Sequence, residues 1–281
     1  MSGLRLGDAF GERFLVGEPE EVTLDRIANR ELPSGLWPWT DDTAQAHALT
    51  EHLLLRGEVV QDELALVFAE TFLCDPARGY GQGARELLLR IALGEDWRTL
   101  TAAAFGGMGS MGNGAAMRVA PLGAYFCSDL DAVAQQAVRS AEVSHGNLNA
   151  IAGAVGVAIA TAGVATDTPD EDVWREILAR TPPSLTRDVL AAASQLPIGT
   201  APTYAADALG SGERLCAHDT VPFCVWIVLT SRRAGFEECL WRTVSGLGDC
   251  DTTCAIVGGM LAANEGIELP PTWLDHAEPI E

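Results

Sequence analysis

Positive charge is scarce in this sequence. Lysine and arginine together number 18 against 39 aspartates and glutamates, a formal net charge of -21. Such an acidic surface repels nucleic-acid backbones and argues against a nucleic-acid-binding module. It leaves room for a small anionic ligand held by local groups. Strand signals are also nearly absent, since no segment alternates apolar and polar residues over six positions with β-branched enrichment. No fixed-period repeat occurs, which argues against a helical solenoid. The seven cysteines are an odd number without paired spacing. Most sit in apolar runs, as Cys224 does in VPFCVWIVL, and read as buried free thiols. Cys250 and Cys254 have no second Cys or His pair nearby, so a zinc site is not expected. The N-terminus, MSGLRLGDAF, has no signal-peptide hydrophobic run. The longest apolar stretch, 150–165, is rich in Ala and Gly and contains Thr161. It reads as a buried helix rather than a membrane span. A soluble cytoplasmic protein without membrane association is the expectation.

The chain does have the material for a large core. It is 281 residues long, 48% hydrophobic and 20% charged, ordinary values for a globular protein. Helical spacing dominates. Val60, Leu64, Phe68 and Phe72 recur every four positions on one face. Leu130, Val133, Ala134, Ala137, Val138 and Ala141 repeat the pattern behind Ser128, the expected N-cap. Thr168, Pro169 and Glu171 read as cap, N1 proline and acid at N3 of a further helix. Similar patterns fall near 41–56, 84–93, 145–165, 185–195, 220–231, 236–246 and 252–265. Breaks rich in Pro and Gly fall at 31–38, 106–114, 181–184, 197–202 and 210–213. None resembles a long linker. One compact all-α domain spanning 1–281, an orthogonal array of about a dozen helices, follows.

Five short segments carry possible chemistry. Trp39-Thr40-Asp41-Asp42-Thr43 opens a helix. Thr40 can cap it and the acids complement its dipole, which is sufficient as a structural explanation. The same groups are the ligands a hard divalent cation prefers. Gly248-Asp249-Cys250-Asp251-Thr252-Thr253 opens another helix with a near-identical set. If the two starts converge, four carboxylates meet in one pocket, tolerable only with bound cations. All-oxygen ligands favour Mg2+ or Mn2+, two ions sharing carboxylates. A loop from Gly106 to Gly114 holds five glycines in nine residues and precedes an Ala-rich helix with Met117 and Arg118. Its backbone N–H groups suit a diphosphate, although a plain structural turn would have the same composition. It is neither a Walker loop nor a Rossmann fingerprint. Asp8 and Glu12, in GDAFGE at 7–12, share a face if that segment is helical. Ser144-His145 stands at the start of the long Ala/Gly helix, where a histidine is either a helix-end residue or a pocket residue.

Together and in this order, these segments resemble the ADP-ribosylglycohydrolase family. The matching pieces are GDAFGE at 7–12, WTDDTAQA at 39–46, GSMGNGAAMRVAPLG at 109–123, SHGNLNAIAGA at 144–154 and GDCDTTCAIVGGMLAANEG at 248–266. The resemblance implies an all-α fold with two Mg2+ ions in a central cleft. It implies Thr40, Asp41, Asp42, Asp249, Asp251 and Thr252 as metal ligands. It implies that the loop Gly109, Ser110, Met111, Gly112, Asn113 and Gly114 cradles the diphosphate and proximal ribose, with His145 near the distal ribose. Asp41 or Asp42 would serve as base, and Glu12, the acid after the N-terminal GDA motif, is a further catalytic candidate. The activity implied is Mg2+-dependent cleavage of the glycosidic bond between ADP-ribose and a protein, nucleobase or small molecule.

Three other functions use the same residues. A metal-dependent nucleotide pyrophosphohydrolase would employ the same carboxylates and release AMP rather than ADP-ribose. A catalytically inactive ADP-ribose-binding protein would bind without turnover. A helical interaction protein would use the Asp/Thr sets only as caps. Selectivity for the group attached to ADP-ribose would lie in the loops 32–38, 78–83 and 197–213.

Overall fold

In the computed structural model, which describes residues 1–15 and 20–280, helices form nearly all of the regular structure. Seventeen α-helices and no β-strand occur among the described residues, with two isolated bridges, Trp37 to Ala277 and Gly112 to Cys216. The helix Asp41–Arg56 begins behind Thr40, whose hydroxyl accepts from the Asp42 N–H, and ends at the left-handed cap Gly57. The four-residue spacing from Val60 becomes the helix Gln61–Cys74, with Leu64, Phe68 and Phe72 buried.

The molecule is organised around Leu148–Ala165. This helix is apolar on every side and buries all residues from Ala150 to Val164. It is long and apolar enough to cross a membrane, yet 83% of it is covered by the rest of the chain. An all-round apolar helix in such a setting is a core helix. Packed on it are Ala120–Tyr125, Leu130–Glu142, Asp170–Arg180, Leu185–Ala193, Ala217–Ser231 and Cys250–Leu261. Cys224, Cys239, Cys250 and Cys254 are buried free thiols, as their apolar surroundings in the sequence imply.

The helix Ser2–Glu12 lies along Cys250–Leu261 with backbone against backbone. Gly3, Gly7 and Gly11 form the seam. A Cβ at Gly7 would collide with the carbonyl of Cys254, and one at Gly11 with the carbonyl of Cys250. Only glycine allows backbones so near. The C-terminal residues then close over this pair. Phe10 stacks on Trp273 at 4.4 Å, and Trp37 stacks on His276 at 4.9 Å. Arg78 grips Glu278 through two hydrogen bonds of 2.7 and 2.9 Å.

Several boundaries differ from the sequence reading. The helix Leu130–Glu142 is capped by Asp129, whose carboxylate accepts from the N–H groups of Asp131 and Ala132, and not by Ser128. The helix Asp170–Arg180 starts one residue later than expected, with Pro169 as its N-cap. The Thr168 hydroxyl is engaged with that of Thr166, so it caps nothing. The long core helix starts at Leu148, capped by Asn147, so Ser144 and His145 stand in the turn before it. The helix near 252–265 runs instead over Cys250–Leu261, which places Asp251 in its first turn.

The seam yields a prediction. Gly7→Ala should cost on the order of 1–3 kcal/mol through overpacking against backbone. Gly83→Ala is the control, because a Cβ there meets nothing nearer than 3.8 Å. In that helix the change should be neutral or gain about 0.5–1 kcal/mol. Urea melts of both variants measure the difference, and equal stabilities would contradict the seam.

Candidate active site

The site begins with Asp8. This carboxylate is fully buried on the N-terminal helix. It accepts from the Thr40 N–H at 2.9 Å, the Thr40 hydroxyl at 2.9 Å, the Thr43 N–H at 3.0 Å and the Thr43 hydroxyl at 2.5 Å. The start of the helix Asp41–Arg56 is therefore fastened to the N-terminal helix by hydrogen bonds to one buried carboxyl. A second support is the loop at 78–80. The carbonyl of Arg78 accepts from the Asp41 N–H at 2.7 Å. Arg78 also donates to the Trp39 carbonyl at 3.1 Å and lies 3.4 Å over the Trp39 ring.

The glycine seam brings Asp249 and Asp251 to the same place. The charge on Asp251 acts on Asp8, Glu12, Asp41, Asp42 and Asp249 alike. The two acid-bearing helix starts thus converge. Burial is the largest influence on each carboxyl and pushes all of them up. Asp8 and Asp249 rise to about 8, and Asp41 and Glu12 to about 7. Asp42, fully buried and facing four other carboxylates, rises well above the usual range. Asp251 rises too, and shares a hydrogen bond with Asp249. Two like charges 4 Å apart repel by about 4 kcal/mol at an effective dielectric of 20. A cluster of this kind takes up either protons or cations.

The donor set suits a hard divalent cation. It is composed of carboxylate and hydroxyl oxygens, and two of those oxygens, Asp42 Oδ1 and Asp251 Oδ1, are buried with no hydrogen-bond partner. Among the described residues, no group of three or more His, Cys, Asp or Glu side chains is arranged to hold a metal ion. Thr40 and Thr252 are both buried beside the acids. The Thr40 hydroxyl is engaged by Asp8 and Asp42, and that of Thr252 by Asp249.

The glycine loop adjoins these acids. Asn113 donates to Asp249 Oδ2 at 2.6 Å and to the Thr220 hydroxyl at 3.1 Å. The loop is held on one side by an antiparallel bridge to residues 215–217, where Met111 O accepts from Ala217 N–H at 3.0 Å. On the other side Gly109, at φ +70°, presses on the backbone of Gly146 and Asn147, where a Cβ would come within 2.6 Å. The Ser110 hydroxyl turns inward and accepts from the Gly112 N–H at 3.2 Å. His145 lies alongside: its Nε2 would be 3.4 Å from a Cβ at Gly112 or Gly114. The helix following the loop, Gly114–Met117, is only four residues long, so no long helix dipole points at the loop.

The acids converge, Asn113 ties the glycine loop to them, and His145 borders that loop. Asp8 was seen only as a partner on Glu12's face, yet it anchors the pocket. Its signal was the Gly3-Gly7-Gly11 spacing around it, which marks a close helix contact and hence a buried carboxylate.

Comparison with known proteins places the chain among glycosidic-bond hydrolases. It belongs to the ADP-ribosylglycohydrolase family, whose model matches residues 1–280. An uncharacterized protein of Archaeoglobus fulgidus is 30% identical over 97% of this chain and 88% of its own length. ADP-ribosylhydrolase ARH3 of Bos taurus is 26% identical over 100% of this chain and 88% of its own length. The solved structure of an ADP-ribosylglycohydrolase-related protein complex superposes with a TM-score of 0.67 at 24% identity, covering 98% of this chain and 89% of that one. That likeness shows the fold.

Two predictions come from the pocket. Asp8→Asn turns an acceptor oxygen into a donor amide facing four donors, and should cost about 1–3 kcal/mol, read by urea denaturation. Unchanged stability would contradict the anchoring role. The second concerns pH. Carboxyls raised to about 7 or 8 in the folded state bind more protons there than in the unfolded chain. Their stabilising effect is complete below the ordinary carboxylate value near 4 and is lost as pH rises through about 7 to 8. In chelator, Tm should fall across that window, and Asp251→Asn should flatten the fall. A pH profile identical in wild type and Asp251→Asn would rule out the mutual repulsion.

Proposed function

We propose that this chain is an Mg2+-dependent ADP-ribosylhydrolase that releases ADP-ribose from a conjugate. The observation that carries the reading is the convergence of two Asp/Thr helix starts, with unpartnered carboxylate oxygens, beside a glycine loop tied to them by Asn113. In this reading Thr40, Asp41, Asp42, Asp249, Asp251 and Thr252 hold two Mg2+ ions, with Mn2+ as a substitute. The ions, when bound, supply the positive charge that neutralises the acids and orients the ribose hydroxyls.

The remaining chemistry belongs to the chain. Breaking the bond at C1 of the ribose builds positive charge on the sugar. Carboxylate oxygens that the ions leave un-neutralised would face that charge. The water attacking C1 yields its proton to the Asp41–Asp42 pair. Glu12, half-buried and pushed up to about 7, can hold or release a proton near neutral pH, which suits an acid–base role. The loop Gly109–Gly114, whose Gly109, Gly112 and Asn113 N–H groups are taken within the fold, receives the diphosphate through those that remain, and His145 borders the distal ribose. Holding the nucleotide at both ends restricts C1 to one position relative to the acids.

The test is a panel of ADP-ribosylated substrates, including protein conjugates and small O-linked esters, assayed with and without Mg2+. Free ADP-ribose should appear only with the cation. Asp41→Ala should lower kcat by at least about 100-fold, the scale of losing a general base. It should also weaken Mg2+-dependent thermal stabilisation and leave helical circular dichroism intact. Full activity of Asp41→Ala, or AMP as the product, would overturn the assignment.

A further inference from the structure

Arg118 is buried at 1% exposure between the acid pocket and His145, and neither motif-bearing end accounts for it. Its guanidinium lies 4.2 Å over the ring of Phe68, which fixes its plane. One arm donates to Gln45 Oε1 at 2.5 Å. The other donates to the Ser140 carbonyl at 3.0 Å and to the Ser144 hydroxyl oxygen at 2.7 Å. Beyond each arm stands a site residue. Gln45 Nε2 donates to Asp41 Oδ2 at 3.2 Å, and Ser144 Oγ is 2.8 Å from His145 Nδ1.

Arginine has donors and no acceptor, and this settles the direction of every bond around it. Because Gln45 Oε1 faces the guanidinium, its amide cannot be flipped, and its NH2 must point at Asp41. Because Ser144 Oγ accepts from Arg118, its single hydrogen must go elsewhere. Two acceptors lie within reach: His145 Nδ1 at 2.8 Å and the Ala141 carbonyl at 3.5 Å. The nearer one takes the hydrogen. His145 Nδ1 is then an acceptor. Burial and the Arg118 charge hold the imidazole neutral, pushed down to about 3. A neutral imidazole whose Nδ1 accepts has its hydrogen on Nε2, the atom beside Gly112 and Gly114.

We infer that Arg118 is a positioning residue that, through Ser144, fixes His145 as the Nε2–H tautomer and presents that hydrogen as a donor along the glycine loop, while through Gln45 it orients the donor to Asp41. The consequence rests on the proposed reading of the loop as a diphosphate and ribose site: a donor at Nε2 suits an oxygen-rich anion, whereas a bare Nε2 would repel it. The same cation thereby sets the hydrogen-bond polarity at both ends of the pocket.

Arg118→Ala would leave a buried hole and could unfold the protein, so the experiment uses Ser144. A long-range proton–nitrogen NMR spectrum of the 15N-histidine-labelled full chain reads the protonated ring nitrogen, with His145 assigned by its loss in His145→Gln. Wild type should show hydrogen on Nε2 and none on Nδ1. Ser144→Ala should give a mixture of tautomers, and Ser144→Thr, which keeps the hydroxyl, should restore the single form. Calorimetry with ADP-ribose in Mg2+ should show about tenfold weaker binding in Ser144→Ala, equivalent to about 1.4 kcal/mol, and recovery in Ser144→Thr. Mg2+-dependent thermal stabilisation should be the same in all three. Hydrogen on Nδ1 in wild type, or an unaltered tautomer in Ser144→Ala, overturns the inference. The spectrum requires no ligand. An Nε2–H wild type that loses this preference in Ser144→Ala supports the relay even if ADP-ribose fails to bind, a failure that would count against the function proposed above.

Discussion

The contact of backbone on backbone between Ser2–Glu12 and Cys250–Leu261 is the constraint on which the rest of the molecule depends. It joins the two ends of the chain without side chains between them, across Gly3, Gly7 and Gly11. Small residues at such a seam shorten the distance between helix axes, and here the shortening has a chemical effect. It sets Asp8 and Asp251 near enough to act on each other. Asp8 in turn fastens Thr40 and Thr43, so the first turn of Asp41–Arg56 follows the N-terminal helix. A longer side chain in the seam would separate the acids before it disturbed any other part of the core. The aromatic group of Phe10, Trp37, Trp241 and Trp273 covers the outer side of the seam and gives it the apolar burial that glycines cannot supply.

Such a gathering of carboxylates opposes folding. Desolvation and mutual repulsion both raise their proton affinity, and Arg118 is a weak counterweight that acts on Asp41 alone among them. Two ion pairs elsewhere follow the opposite pattern: Glu278 beside Arg78, and Glu95 beside Arg90, are held below the usual range by their partners. In those pairs the fold supplies an arginine. In the pocket it supplies threonines, an asparagine and other acids. That difference separates a site from a scaffold more sharply than the number of acids does, and perturbed carboxyls in a shared pocket are a recognised mark of function.

Much of this was legible in the residues. Thr40 reads as a cap in sequence and acts as one, and periodicity located most long helices to within a few positions. The convergence of Asp41 with Asp251 was a spatial inference from two like segments, and the fold brings them together. Other features were hidden for physical reasons. Caps depend on where the backbone turns, so Asp129 displaced Ser128 and Asn147 displaced the region of His145. The helices Glu20–Asn29, Trp97–Gly107 and Pro202–Leu209 were not among those expected from the sequence. Asp8 could not be ranked above Glu12, because both share a helix face and only tertiary packing buries one and leaves the other half-exposed. In the sequence Arg118 stands merely behind the glycine loop. Its importance lies in polar partners from separate segments, Gln45 in one helix and Ser144 in a turn, which no spacing rule encodes.

On the function proposed, the acids and the glycine loop have opposite electrostatic tasks, and their union is the less obvious feature of the site. A pocket built for cations repels a diphosphate, and a loop that presents N–H groups repels a metal. Asn113 resolves the conflict at the boundary. Its amide gives hydrogen to Asp249 and Thr220, while its backbone N–H is taken by the Leu215 carbonyl. The loop is thus pinned to the acids by a neutral side chain rather than by a charge that would favour one side. On the far side Arg118 serves the same division: it is a full cation, yet it reaches the loop only through the neutral Ser144 and His145. In the proposed reading each half of the pocket keeps its own sign, and the charge of Arg118 is felt at both Asp41 and His145. A substrate carrying both a diphosphate and a ribose that becomes cationic in the transition state matches that division, because its two ends need opposite fields at a fixed separation.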